Sequence, residues 1–152
     1  MECRTLDLVL ISAKELKNVS LFGKMDVYAV VSISSPVQKL VAPVVKLVHD
    51  RGLNPTWFFP MKFTVDEAAA MRDNLMLVIK IKAIGMFTNW KLGEVKVPIK
   101  ELMESVNSDG SYRLRRSSGK TTKGEVCFSY IFGEKFLVKP PQKQISRVWP
   151  GS

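Results

Sequence analysis

The stretch Asn74–Ala83, NLMLVIKIKA, decides the fold. Leu75, Leu77, Ile79 and Ile81 recur at every second residue, and Lys80 and Lys82 take the opposite phase. A period of two sends the aliphatic groups to one face of a strand and the ammonium groups to the other. The same period appears upstream in TLDLVLISA, where Leu6, Leu8 and Leu10 alternate with Asp7 and Val9. DVYAVVSIS is rich in β-branched residues, which suit a pleated surface. KLVAPVVKLV and WFFPMKFTV carry Pro43 and Pro60. Proline cannot donate to a ladder, so each run implies an edge strand or a bulge. LGEVKVPI, SYRLRR and EVCFSYIF complete the set. Helical signals are short. Asp66–Arg72, DEAAAMR, suits two turns with acids at the positive end of the dipole. Ile99–Val106, IKELMESV, places Ile99, Leu102, Met103 and Val106 on one side. Short strands separated by turn signals, without a 20–50-residue repeat, predict an all-β fold. The expected form is an eight-stranded antiparallel β-sandwich with short helices in its loops.

A chain of 152 residues fits one domain, and 46% hydrophobic with 24% charged residues is ordinary for a globular protein. The excess of 23 Lys+Arg over 14 Asp+Glu gives a formal charge of +9, which favours anionic partners. Cys3 and Cys127 have neither metal-ligand spacing nor a disulfide framework. The apolar run near the N-terminus is interrupted by charges and lacks a small-residue cleavage site, and no segment reaches about 18 uninterrupted apolar residues. The expectation is a cytoplasmic protein, peripheral to plasma membrane or endomembrane. The strand pattern ends at Gly133. The expected division is a folded domain over 1–133 and a basic, proline-containing flexible tail over 134–152, in which Phe136, Leu137 and Trp149 have the apolar surface to dock on the sandwich.

Taken together, LDLVLISAKELKNV, GKMDVYAVVSI, NPTWFFPMKFTV and LGEVKVPIKEL resemble a C2 domain over about 130 residues, in order and spacing. The family's G-x-S-D-P-Y-like turn corresponds to Gly23–Tyr28, its N-P-x-W turn to Asn54–Trp57, and its L-G-x-x-x-V-P/L segment to Leu92–Pro98. The opening residues look most like small plant C2 proteins of the cold-regulated type, a resemblance that implies stress or defence signalling. The strand order is similar to the circularly permuted, type II arrangement. The motifs also have their own chemistry. Asn54-Pro55 favours a turn, Trp57 can anchor the sandwich, and Gly93 suits a positive φ or a close backbone approach.

C2 domains that bind calcium gather aspartates from two loops at one end of the sandwich, because the ion takes oxygen ligands. Here Asp26 is the residual member. The other positions that the resemblance assigns fall on Ser20, Lys82, Ile84 and Trp90, and no acid lies between Asp73 and Glu94. The expectation is no metal and no other cofactor, with Asp26 left to bond the amides of its own turn. The same loops carry Leu21 and Phe22, and Met86, Phe87 and Trp90. Apolar loop tips suit a membrane interface; the alternative is that the rings fold back and cap the sandwich. Lys24, Lys80, Lys82 and Lys91 flank these tips and would meet an anionic leaflet. A second cluster of Lys39, Lys46, His49, Arg51 and Lys62 comes from two runs expected to be neighbours, where C2 domains often hold a phosphoinositide groove. The run YRLRRSSGKTTKG adds Arg113, Arg115, Arg116, Lys120 and Lys123 on an expected hairpin.

His49 is the only histidine, and no nucleophile, P-loop or metalloprotease pattern appears. Enzymatic activity on a small-molecule substrate is not expected. Nucleic-acid binding would want aromatics interleaved with lysines on a sheet face, whereas here they gather at loop tips. The expected function is a calcium-independent C2 module that binds anionic phospholipid membranes or acts as a membrane-proximal adaptor for a protein partner. The alternative is a protein–protein scaffold without significant lipid binding.

Overall fold

Alternating aliphatic residues build every long strand. The computed structural model describes residues 2–17, 26–35, 45–49 (backbone only), 54–72, 75–85, 89–105 and 109–138. Its strands are β1 (Glu2–Lys14), β2 (Val27–Ser34), β3 (Val45–His49), β4 (Thr56–Asp66), β5 (Met76–Ala83), β6 (Trp90–Pro98), β7 (Asp109–Arg115) and β8 (Thr121–Leu137). Two short helices, α1 (Glu67–Met71) and α2 (Ile99–Glu104), follow β4 and β6. The decisive stretch is β5, with Leu77, Ile79 and Ile81 buried and Lys80 and Lys82 half-buried on the other face.

All eight strands form one antiparallel order, β3-β2-β5-β6-β7-β8-β1-β4. The order turns over between β6 and β7, which share a single registered pair, Glu94 with Arg115. The result is two four-stranded halves, β3-β2-β5-β6 and β7-β8-β1-β4. Leu6, Leu8, Leu10, Phe63 and Phe128 from one half and Val31, Ile33, Leu77 and Ile79 from the other join one buried cluster. The first and last strands are neighbours, as the permuted arrangement requires. β3 and β4 occupy the two edges; Pro60 of β4 stands opposite Val9 in the ladder, in keeping with an edge, and Pro43 lies outside the described residues.

Gly93 explains the turnover. A Cβ there would sit 2.8 Å from the Cβ of Leu114 and 3.3 Å from the carbonyl of Arg115. Close approach, and not a positive φ, is what this glycine permits. Leu92, beside it, is the extra residue of a bulge: Ile81 pairs with Gly93 and Lys82 with Lys91.

Three boundaries differ from the sequence reading. β8 passes the expected domain end at Gly133 and pairs through Leu137, which stands opposite Glu2. Phe136 and Leu137 are therefore strand residues with exposed side chains, not docked ones; residues 139–152 lie outside the described set. The second helix stops at Glu104, because Ser105 is already extended. β7 opens at Asp109, two residues before the run SYRLRR. The first helix is close to expectation: Asp66 caps it, its carboxylate accepting from the amides of Ala68 and Ala69.

Candidate functional site

Antiparallel pairing sends β1, β3, β5 and β7 toward one end of the molecule, so the described residues that leave and enter the strands there share that end: 15–17, 26, 54–55, 84–85, 89 and 116–120. Hydrogen bonds tie them together. The amide of Glu15 donates to Oδ1 of Asn54 at 2.9 Å, and the amide of Ala13 to the carbonyl of Pro55 at 3.0 Å. The Asn54-Pro55 turn thus holds the end of β1. Trp57, two residues on, is half-buried against the core, as an anchor should be. The amide of Ile84 donates to the carbonyl of Asp26 at 2.9 Å, and Nδ2 of Asn89 to the Tyr28 hydroxyl at 2.9 Å. The two loops that flank β2 and β5 therefore meet at their roots.

Asp26, Lys82, Ile84 and Trp90 come together at this end. Val27 pairs with Ala83, Tyr28 with Lys82, and Ala83 with Trp90. Asp26 is exposed, and its described contact runs through the backbone carbonyl. The turn amides to which its carboxylate was expected to bond lie among residues 18–25, outside the described set. Ser20, Leu21, Phe22, Lys24, Met86 and Phe87 lie outside it too. The apolar side chains that can be placed are Ile84, 46% exposed, and Trp90, 53% exposed.

The cations around them are unequal. Lys82 and Lys80 rise from the outer face of β5, opposite Tyr28 and Val30. Lys91 is engaged: its ammonium bonds the carboxylate of Glu94 and reaches the Ser117 hydroxyl at 3.4 Å. Lys96 bonds the second oxygen of Glu94 at 3.3 Å. Burial pushes the Glu94 carboxyl up, but the hydrogen bonds and charges of Lys91 and Lys96 outweigh it and hold it below the usual carboxylate range.

The second expected cluster does not assemble as one strand pair. β3 pairs with β2, with Lys46 opposite Val30, while β4 pairs with β1, with Lys62 opposite Asp7. The two strands are the opposite edges of the order and share no ladder, but their backbones approach each other, so they are neighbours in space as expected. Lys62 is spent partly on Asp7, 3.7 Å away, in an exposed pair that contributes little stability. Lys39 and Arg51 lie outside the described residues, as do the side chains of Lys46 and His49.

The structure adds residues that the strand pattern hid. Phe58, 65% exposed, and Phe59 project from the start of β4, close to the loop end. Phe58 has φ 46°, a left-handed value rare for a bulky side chain. Trp57-Phe58-Phe59 is a run of three rings, which strict alternation cannot bury; that was the available signal. The basic hairpin is as expected, a turn over 116–120 between β7 and β8. It stands at the loop end beside Lys91.

No described helix is long and apolar enough to cross a membrane. Cys3 is buried, and burial, then the charge of Asp66, raise its thiol pKa, the reverse of what a thiolate nucleophile needs.

Among solved structures, a C2 domain of plant Extended Synaptotagmin 1 superposes with TM-score 0.66 at 19% identity, over 85% of this chain and 93% of that one. The calcium-bound pair of C2 domains of Extended-Synaptotagmin 2 gives TM-score 0.68 at 17% identity, over 84% of this chain and 45% of that one. Among curated proteins, Protein SRC2 of Glycine max is 42% identical over 139 residues, 88% of this chain and 48% of its own length. The Arabidopsis thaliana SRC2 homolog is 45% identical over 141 residues, 90% of this chain and 43% of its own length. The chain spans a little under half of these two relatives. The C2 domain model matches residues 4–114, from the first strand through the floor of the basic hairpin, and with that match the chain belongs to the C2 domain family.

Proposed function

We propose that the chain is a calcium-independent C2 module that docks its loop end on anionic membrane and brings a protein partner there. One observation carries this reading. Where a calcium-binding relative would converge acids, this chain converges Lys82, Ile84 and Trp90 around Asp26, with Ile84 and Trp90 exposed. A cation and two apolar groups cannot supply the oxygen shell that calcium needs. They suit a lipid interface directly: rings and aliphatic groups enter the headgroup boundary, and lysines meet phosphate. Leu21, Phe22, Met86, Phe87 and Lys24 would extend the same surface. A cytoplasmic, membrane-peripheral location, a non-catalytic role and a part in stress or defence signalling belong to the same proposal. The last of these rests on the resemblance to cold-regulated plant proteins alone.

Sedimentation with phosphatidylserine-containing vesicles tests it. Trp90→Ala and Ile84→Ala should each weaken binding several-fold, because burying an apolar side chain contributes roughly 1.5–3 kcal/mol when complete and less when partial. Unchanged binding of both variants would remove the loop end from the interface. A second reading is favoured by Phe58 and Phe59 on an edge strand, which suit a protein partner. If no vesicle binds and Phe58→Ala abolishes capture of a partner that the parent chain retains, the scaffold reading replaces the first.

A further inference from the structure

The β7–β8 hairpin carries a pattern of its own. Arg115-Arg116-Ser117-Ser118 places arginine three and two residues before Ser118. Of all the serines and threonines in the chain, Ser118 alone has arginine three residues before it. Ser117, one residue earlier, has Leu114 at that position. Guanidinium groups at those two positions are what a base-directed serine kinase reads, because its acidic subsites take them in charge-assisted, bidentate bonds. The pattern therefore selects both an acceptor and a class of enzyme.

The fold puts the pattern within reach. β7 ends at Arg115, residues 116–120 turn the chain back into β8, and all of 115–120 are exposed. Neither Arg115 nor Arg116 forms an ion pair with a described residue; the nearby acid, Glu94, bonds Lys91 and Lys96 instead. The two hydroxyls differ. Oγ of Ser117 is reached by the Lys91 ammonium at 3.4 Å, while Oγ of Ser118 meets the amide of Lys120 at 3.5 Å, at the weak end for a hydrogen bond. Two backbone bonds close the tip: the amide of Arg116 donates to the carbonyl of Lys120 at 2.9 Å, and that of Gly119 to the carbonyl of Arg116 at 2.7 Å. A kinase takes its substrate extended, so both must open. No side chain from 115 to 120 is buried, so the tip opens without exposing core.

We propose that Ser118 is a phosphorylation site for a base-directed serine kinase, and that the phosphate weakens the attraction of the loop end for anionic surfaces. Oγ of Ser118 attacks the γ-phosphorus of the kinase's MgATP. An Oγ–P bond forms, the bond to the β,γ-bridging oxygen breaks, ADP leaves, and the hydroxyl proton passes to the kinase's catalytic carboxylate. The product carries about −1.5 to −2 charges at pH 7. From Arg113 to Lys123 the chain has five cations and no acid, so the phosphate cancels about two charges of that excess. Arg116, Lys120 and Lys123 line one cavity of the loop end with Lys17 and Lys91, which places the change in charge on that end. The weakening rests on the membrane reading above; the site itself does not.

Two arms keep the site and its effect apart. In the first, the full chain is incubated with MgATP and the catalytic subunit of cyclic-AMP-dependent protein kinase, a base-directed enzyme, and the phosphoserine is mapped by fragmentation mass spectrometry. Phosphate should appear at Ser118. Ser118→Ala should abolish it, Ser117→Ala should leave it, and Arg115→Gln and Arg116→Gln should each slow it roughly tenfold, the scale of one charge-assisted hydrogen bond. A peptide of residues 112–121 reports the pattern without the fold. Modification of the peptide but not of the folded chain, modification at Ser117 in place of Ser118, or a rate indifferent to both arginines overturns the site. In the second arm, the phosphorylated chain is sedimented with phosphatidylserine vesicles. Its affinity should fall about tenfold at low salt, and the difference should shrink as salt screens the charges. Equal binding of the modified and unmodified chains overturns the effect, while the mapped phosphate upholds the site. If the unmodified chain binds no vesicle, the membrane reading fails and the effect with it, and the first arm still decides the site.

Discussion

Glu94 shows how single side chains set the loop end. It sits among Lys91, Lys96 and, across the β6–β7 turnover, Arg115. Its carboxyl is held below the usual range by Lys91 and Lys96 against the cost of burial. A carboxyl depressed in the folded state contributes stability above its unfolded value, about 4.3, and loses it as pH falls through the lower folded value. Glu94→Gln should therefore be less stable than the parent at neutral pH, with the gap closing below about pH 4; urea melts at both pH values read this directly. Gly93, next to it, is argued from space alone. Gly93→Ala forces a Cβ against Leu114 and should cost about 1–3 kcal/mol, as for an overpacked core. Trp90 behaves oppositely. Being about half in water, it should cost less when truncated than the roughly 3–5 kcal/mol of a buried ring, and its effect on vesicles is read per folded molecule. The positions at the loop end, Lys82, Ile84 and Trp90, were legible through the family resemblance, which assigns them. That about half of the Trp90 surface stays exposed was not, because one ring suits a plug and an interface equally well.

At the scale of elements, alternation made the strands legible and non-local pairing hid their ends. β5 reads from its own residues. The last four residues of β8 do not, because Glu134–Leu137 lie in a basic stretch whose strand character comes from β1: Glu2, Cys3 and Arg4 stand opposite Leu137, Phe136 and Lys135. Arg4 reinforces this end, donating from Nε to the Gly133 carbonyl at 2.8 Å and lying over the Phe132 ring. The lysines of β3 and β4 lie on strands that close the sheet order from its two edges and share no ladder, yet the two backbones approach each other. Caps are local, so α1 was legible to within a residue. Asp66→Ala should cost about 0.5–2 kcal/mol through the lost bonds to Ala68 and Ala69, measured by thermal unfolding. The Asn54 turn is equally local in sequence and non-local in effect, since its side chain holds the amide of Glu15, a residue at φ 53°.

For the whole molecule, one turnover and two edges create a loop end where β1, β3, β5 and β7 finish, and the chain's +9 charge is represented there by Lys17, Lys82, Lys91 and the basic hairpin. Charge alone left membrane, nucleic acid and acidic protein open as partners. The end on which Ile84 and Trp90 emerge beside these lysines is what favours membrane. The most direct test is sedimentation with phosphatidylserine vesicles, in chelator and in millimolar calcium, across a salt series. Binding should be equal with and without calcium and should weaken as salt screens the lysines. Binding that appears only with calcium, or that is absent in chelator at low salt, would contradict a calcium-independent C2 module.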